Sequence, residues 1–354
     1  MLTIEKFYDI EQSISKGMVL LSDLVDKYKG EQPLAGVTAL LFQHQLGNQV
    51  PMTDALIKLG LRAEDIYWVD IPYTSHKHVR DVLQALGIPS QNFRTCIDYR
   101  LLKPYRPYQQ KRAIEIYQEM LIAKHRKLLV LDDGAYFLEA ASCFEDLPPN
   151  CCIVEQTSRG FKKIAKNAAM ASVMCQVPLV NVAQSVAKGR LESPFIGAAV
   201  CASISHHVKD RLFVSTTKPR CLILGYGHIG RAVTRFLKDQ FGLARDQIFV
   251  CDPRLSLDPP KDGFHNWDRS IGGTFDLVIG CSGTTSFDVG DYVFLNDGAI
   301  LVSASSGAVE FNRRNIVEWA DLFQSDNVSI EGDIDQSDFH ADIQIRFPGR
   351  QTIL

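Results

Sequence analysis

Between Cys221 and Asp252 the chain alternates in a way that leaves few folds open to it. A short apolar run, Cys221-Leu222-Ile223-Leu224, leads into Gly225-Tyr226-Gly227-His228-Ile229-Gly230. An amphipathic segment follows, and a second run from Gln247 to Cys251 stops at Asp252. Four apolar residues in a row suit a strand covered on both faces of a parallel sheet. Gly225 permits a tight turn, Gly227 lets backbone approach a pyrophosphate, and Gly230 lets helix lie against strand. Ala232, Val233, Phe236, Leu237 and Phe241 recur at helical spacing and give that helix one apolar face. Its N-terminus, at His228 and Ile229, offers unpaired N–H groups and a positive dipole end to phosphates.

Strand, glycine turn, helix, strand and acid, in that order, predict a bound dinucleotide held by Gly225, Gly227, His228, Ile229, Gly230 and Asp252. The alternative is a glycine turn in an α/β sheet with no ligand. Asp252 stands where a carboxylate accepts hydrogen bonds from the adenosine ribose, which favours NAD over NADP. Arg254, two residues on, offsets part of the repulsion that a 2′-phosphate would meet there, so the choice stays open.

The rest of the chain repeats the strand–helix alternation. Residues Glu5 to Tyr28 read as a helical lead-in, and Val37 to Phe42 as the first strand. Met52 to Leu61 and His78 to Leu86 read as helices around a strand at Asp65 to Asp70. A helix from Tyr108 to Lys124 precedes strands at Lys127 to Leu131, Cys152 to Val154 and Pro178 to Val182. A long helix from Ser185 to Lys209 leads into the glycine-turn unit, which adds strands at Phe275 to Gly280 and Ala299 to Ser303. The expected fold is α/β with two doubly wound parallel-sheet domains. Residues 1–190 form a substrate-type domain, residues 191–330 a Rossmann NAD-binding domain, and residues 331–354 return to the first.

At 354 residues there is chain enough for two or three domains with sizeable cores. A charged fraction of 22% and a net charge of −3 leave no basic stripe for nucleic acid. No apolar run is long enough to span a bilayer, and Met1 to Lys6 lacks a signal-peptide pattern. With nine cysteines, several in apolar strand runs and none at CxxC spacing, a reduced cytoplasmic protein without structural metal is expected. The expected partner is a small-molecule substrate, in a homodimer or homotetramer.

Four polar clusters follow apolar strands, where open α/β sheets bind ligands. Asp132-Asp133-Gly134 offers carboxylates to sugar hydroxyls, or equally a helix cap and turn. Glu155-Gln156-Thr157-Ser158-Arg159-Gly160 offers a polar anchor and cofactor-reaching hydroxyls, or again a helix cap. Asn181 through Lys188 to Glu192 sets a lysine and a glutamate four apart on one helix face. A lysine beside a nicotinamide can take the proton of an alcohol being oxidised; a surface ion pair is the plainer reading. Ser282 and Gly283, just past the strand that ends at Gly280, let a cofactor lie across the sheet edge. His44, His76 and His78 follow N-terminal strands and read as structural before catalytic.

These clusters, in this order and spacing, resemble S-adenosyl-L-homocysteine hydrolase over nearly the whole chain. The resemblance rests on Gln32-Pro33-Leu34-Ala35-Gly36, Leu131-Asp132-Asp133-Gly134, Glu155 to Gly160, Pro178 to Lys188 and Gly225 to Gly230. It implies an NAD that oxidises a ribose 3′-hydroxyl and is regenerated after elimination and water addition. By resemblance, Asp133 acts near the sugar, Asn181 and Lys188 flank the nicotinamide, Thr157 and Ser158 contact NAD, and Asp252 binds its ribose. His44 matches the family's histidine after the first strand. The family's second glutamate is replaced by Gln156, and its Asp-Asn pair by Glu192-Ser193. Tyr292 lies near one of its nicotinamide-domain histidines, and Ser305-Ser306-Gly307 replaces another's Gly-His. The family's C-terminal extension has no counterpart before Leu354. The expectation is a divergent, NAD-dependent enzyme with Lys188 as base, Asp133 and Glu155 as hydroxyl anchors and Glu192 positioning Lys188, the original hydrolysis altered or lost. The alternative is a non-catalytic NAD-binding regulator or scaffold; a 2-hydroxy-acid or amino-acid dehydrogenase is weaker, because no histidine–acid pair stands in the nucleotide unit.

Overall fold

The computed structural model describes residues 18–94, 106–121, 127–142, 150–212, 219–256, 263–305, 310–311, 328–331 and 342–345. They gather in two compact units, one running to Ala183 and one starting at Gln184.

The first unit holds six parallel strands: β1 (Val37–Gln45), β2 (Ile66–Ser75), β3 (Phe93–Arg94), β4 (Lys127–Asp132), β5 (Cys151–Glu155) and β6 (Leu179–Asn181). Their order is β3-β2-β1-β4-β5-β6. Helices α1 (Val19–Tyr28), α2 (Gln49–Lys58), α3 (Lys77–Ala85), α4 (Arg106–Leu121), α5 (Tyr136–Ala141), α6 (Ser158–Ala165) and α7 (Ala168–Met174) accompany them. Alternation along β1 divides the core in two. Ala39 and Leu41 join Val50, Val79, Val82 and Leu83 of α2 and α3 on one face. Leu40 and Phe42 join Ala113, Ile116, Phe137 and Ile164 of α4, α5 and α6 on the other. The helices match the expected ones to within a few residues; the lead-in before residue 18 and the end of the fourth helix after 121 lie outside the described residues.

The second unit holds β7 (Cys221–Leu224), β8 (Ile248–Cys251), β9 (His265–Asn266), β10 (Phe275–Gly280) and β11 (Leu295–Ser303), ordered β11-β10-β7-β8-β9 and parallel throughout. Helices α8 (Ser193–Leu212) and α9 (His228–Phe241) cover one face through Cys201, Ile204, Val233 and Leu237. Trp267, Phe287, Tyr292 and Phe311 cover the other from irregular segments. Two parallel sheets wound with helices, as expected, are therefore the architecture. Strand order reverses between β1 and β4 in one unit and between β7 and β10 in the other. Ligands of open α/β sheets bind beyond the strand ends at such reversals.

One expectation shifts. The long helix expected from Ser185 opens with a π-helical turn, Lys188–Glu192, that runs straight into α8. Pro194 has no N–H to donate one turn back, so the ladder widens just ahead of it. This helix runs on without a break, and Lys188 belongs to the same compact unit as the glycine turn. Of the C-terminal segment expected on the first domain, residue 331 and one further strand are described. β13 (Asp342–Ile345) pairs antiparallel with β12 (Val328–Glu331), where an equally alternating stretch meets it. No described helix is long and apolar enough to cross a membrane.

Helices α8 and α9 meet backbone to backbone at Gly197, where an added Cβ would stand 2.7 Å from the Ala232 Cβ. Gly197→Val overpacks that crossing and is expected to cost about 1–3 kcal/mol. A melting temperature equal to that of the unmodified chain would contradict the crossing.

Candidate functional site

The glycine turn of the second unit is boxed in on two sides. Gly225 adopts φ +91°, a conformation L side chains rarely take. A Cβ there would stand 2.7 Å from the Ser282 backbone. A Cβ on Gly230 would overlap the Gly225 carbonyl oxygen, so α9 reaches β7 only because that atom is missing. Gly227 is open by contrast: the nearest heavy atom to a Cβ there is an Arg254 nitrogen at 3.7 Å. Such a cradle, narrow below and open above at the N-terminus of a 14-residue helix, fits a dinucleotide pyrophosphate.

Asp252, at the tip of β8, is nearly buried. Its carboxylate accepts the Tyr226 N–H at 2.8 Å, the Arg254 N–H at 3.0 Å, and the Arg254 guanidinium at 2.9 and 2.6 Å. The hydrogen-bonded Arg254 side chain holds its pKa down to about 2. Across the sheet reversal, Ser282 and Gly283 are tied by a residue that sequence reasoning missed. Glu310, fully buried, accepts the Gly283 N–H at 2.6 Å and the hydroxyls of Ser282 at 2.8 Å and Ser286 at 2.7 Å. Its only sequence signal is one charge between Val309 and Phe311. Lys188 Nζ lies 3.4 Å from Glu192 Oε2 across the π-helical turn. The same turn abuts the glycine turn: a Cβ on Gly189 would stand 3.0 Å from His228 Nε2.

In the first unit, parallel register aligns Phe42, Asp132, Glu155 and Asn181 in one row at the C-terminal strand ends. Asp132 and Glu155 are both fully buried. Asp132 accepts the N–H groups of Tyr136 and Phe137, each at 2.9 Å. Glu155 accepts the Ala135 N–H at 2.8 Å and the Thr157 N–H and hydroxyl at 2.7 Å. Together they hold Ala135 at φ +57°, a costly conformation for a residue with a side chain. Thr157 also caps α6, its oxygen accepting the Gly160 N–H at 2.9 Å, and Ser158 opens that helix. The cap reading thus describes Thr157, and Glu155 spends its oxygens on the loop after Asp133 and on Thr157.

Asp133 and His44 come together. His44 Nε2 lies 3.5 Å from Asp133 Oδ2, and Nδ1 lies 2.5 Å from Thr74 Oγ1. Irregular pairing of β2 between Asp70 and Ser75 brings Thr74 there. Burial pushes the imidazole down to about 4, outweighing the nearby carboxylate, so His44 is neutral at neutral pH. Gln156, standing where the resembled family has a second glutamate, accepts a hydrogen bond from Gln43. Lys163 pairs with Glu139 at 2.6 Å and donates to the carbonyls of Gly134 and Ala135.

No protein-family model matches the chain. It is 27% identical over 335 residues to an uncharacterized protein of Mycobacterium tuberculosis, covering 90% of this chain and 60% of that one. It is 20% identical over 256 residues to adenosylhomocysteinase of Acinetobacter baylyi, covering 70% of this chain and 50% of that enzyme. The chain therefore spans only about half to three-fifths of these relatives. Among solved structures, a dipicolinate synthase chain from Bacillus halodurans matches with a TM-score of 0.41 and 12% identity, over 80% of this chain and 87% of that one. A phosphoglycerate oxidoreductase from Rhizobium etli matches with a TM-score of 0.29 and 16% identity, over 54% and 64%.

Burial and the neighbouring Glu155 push Asp132 up to about 8 and outweigh the backbone donors and Lys163 that act the other way. Burial raises Glu155 as well. The folded chain thus keeps a proton that the unfolded chain releases near pH 4. Stability is full below that pH and falls as pH rises toward 8, with a slope approaching about 1.4 kcal/mol per pH unit. Urea unfolding of Asp132→Asn across that window should show a shallower slope; identical slopes in both proteins would contradict a proton retained on Asp132.

Proposed function

We propose that the chain is a dinucleotide-dependent redox enzyme of the adenosylhomocysteinase type, acting on a hydroxyl-bearing polar substrate such as a nucleoside. The observation that supports it most is the cradle at Gly225, Gly227 and Gly230, with the turn that carries Lys188 lying against the neighbouring His228 side chain. A nicotinamide dinucleotide, when bound, supplies the hydride acceptor and donor. Lys188 takes the proton from the substrate hydroxyl, and Glu192 at 3.4 Å keeps the amine in place. Asp133 accepts hydrogen bonds from substrate hydroxyls. His44, neutral beside it, can receive a proton at Nε2 when its Nδ1–H donates to Thr74. Glu155 acts as a positioning residue, fixing the turn from which Asp133 projects. Asn181, Ser158, Ser282 and Gly283 are proposed cofactor contacts, with Glu310 shaping the last two. Assembly as a homodimer or homotetramer belongs to the same proposal.

One observation favours the non-catalytic reading instead. Tyr292, near the place of a family histidine, is buried in the apolar cluster with Trp267 and Phe287, and burial pushes its phenol up. It gives up its proton less readily than an ordinary tyrosine. Hydrolysis in the family's manner is therefore not part of the proposal.

Lys188→Met separates the readings. With adenosine as probe, reduction of bound cofactor, followed by nicotinamide absorbance, should slow by about a hundredfold or more, with dinucleotide binding retained. An unchanged rate would remove Lys188 from the chemistry. Absence of cofactor reduction in the unmodified chain, across adenosine and other polyols, would favour the regulator.

A further inference from the structure

The second unit carries a cation where the adenosine ribose of a dinucleotide would rest. An ionised carboxylate has about four lone-pair sites. At Asp252 protein donors take all four: Oδ1 accepts the Arg254 N–H and Nε–H, and Oδ2 accepts the Tyr226 N–H and Arg254 Nη2–H. A ribose diol needs those same lone pairs and so reaches Asp252 only by displacing the Arg254 side chain. The Tyr226 N–H belongs to the glycine turn, and the Arg254 N–H to the backbone; neither can leave.

The two members of this ion pair differ in access. The Asp252 side chain is 5% exposed and the Arg254 side chain 74%. Arg254 Nη2 also stands on the open side of the turn, 3.7 Å from where a Cβ on Gly227 would lie. Arg231 adds a second exposed guanidinium, its Nε donating to the Tyr226 carbonyl at 3.4 Å and its plane over the Tyr226 ring at 5.3 Å. Two arginines therefore flank the turn toward solvent, and the one acid expected to repel a phosphate is already neutralised.

Resting on the dinucleotide reading of the glycine turn, we infer that the ribose subsite takes a 2′-phosphate, with Arg254 as the residue that binds it, so that NADP is accepted at least as well as NAD. The guanidinium fork turns from a carboxylate to a phosphate, two acceptors of like geometry, while backbone donors keep Asp252 satisfied. For NAD the same arginine is an obstacle, because the diol must compete with it.

Binding of NADPH and NADH to the full chain, followed by nicotinamide fluorescence, tests this with Arg254→Ala and Arg254→Lys beside the unmodified protein. NADPH is expected to bind at least as tightly as NADH. Arg254→Ala should weaken NADPH about tenfold or more, the scale of a lost charged hydrogen bond, while leaving NADH equal or tighter. Lysine should restore part of the NADPH affinity. Equal melting temperatures exclude unfolding as the cause. NADH binding tenfold tighter than NADPH in the unmodified chain, or a ratio that Arg254→Ala leaves unmoved, would overturn the inference and spare the dinucleotide reading. Failure to bind either would overturn both.

Discussion

A missing Cβ at Gly230 is the constraint on which the second unit depends. Helix α9 approaches β7 so closely that the Gly225 carbonyl oxygen occupies the space a side chain would need. Gly225 in turn rests on the backbone of Ser282, so the turn is clamped between its own helix and the next strand end across the sheet reversal. With its base fixed, the turn opens only above Gly227. That is the geometry a pyrophosphate requires: backbone N–H groups at a helix N-terminus with no side chain in the way. Asp252 extends the clamp by holding the Tyr226 N–H.

The two units use one device at their strand ends. In each, a glycine makes room for a fully buried glutamate that gathers the donors of neighbouring loops. Gly160 lies against the Glu155 carboxyl, and a Cβ on Gly280 would stand 2.5 Å from the Glu310 Cβ. A buried carboxylate without partners is costly, and hydrogen bonds to a charged group contribute roughly 1.5–3 kcal/mol each. Both glutamates are therefore stable only with their loops folded around them, which fixes loop geometry beside each candidate site. Glu155 aims the turn bearing Asp133; Glu310 sets the Ser282-Gly283 floor beneath Gly225. Sites that must hold reacting groups closely are built this way, with the outer residues fixing the inner ones.

The glycine turn was legible because each of its residues answers a local steric need, and strand, turn and helix follow one another in sequence. Both sheets were legible for the same reason: short apolar runs alternating with amphipathic helices allow little else. The pairing of His44 with Asp133 was not, because it depends on register between β1 and β4 and on the irregularity in β2 that delivers Thr74. Glu310 escaped notice because a single acid in an apolar stretch carries no local signature; only the fold brings Ser282, Gly283 and Ser286 around it. The backbone donors that Glu155 accepts from Ala135 and Thr157 were not legible either, because only the fold brings the Ala135 loop to it. Asp252 could be placed at its strand end by spacing, but its saturation by Arg254 could not.

Gly227 offers the most direct test of the cradle. Its backbone, at φ −79° and ψ −159°, suits any residue, and a side chain there meets nothing closer than Arg254. Aspartate at this position caps α9 well and leaves the fold intact, yet puts a carboxylate where a pyrophosphate would lie. Calorimetric titration with NADH and NADPH should give micromolar or tighter binding to the unmodified chain, about −8 kcal/mol, and none to Gly227→Asp at an undiminished melting temperature. Equal binding by both proteins, or by neither, would contradict the account.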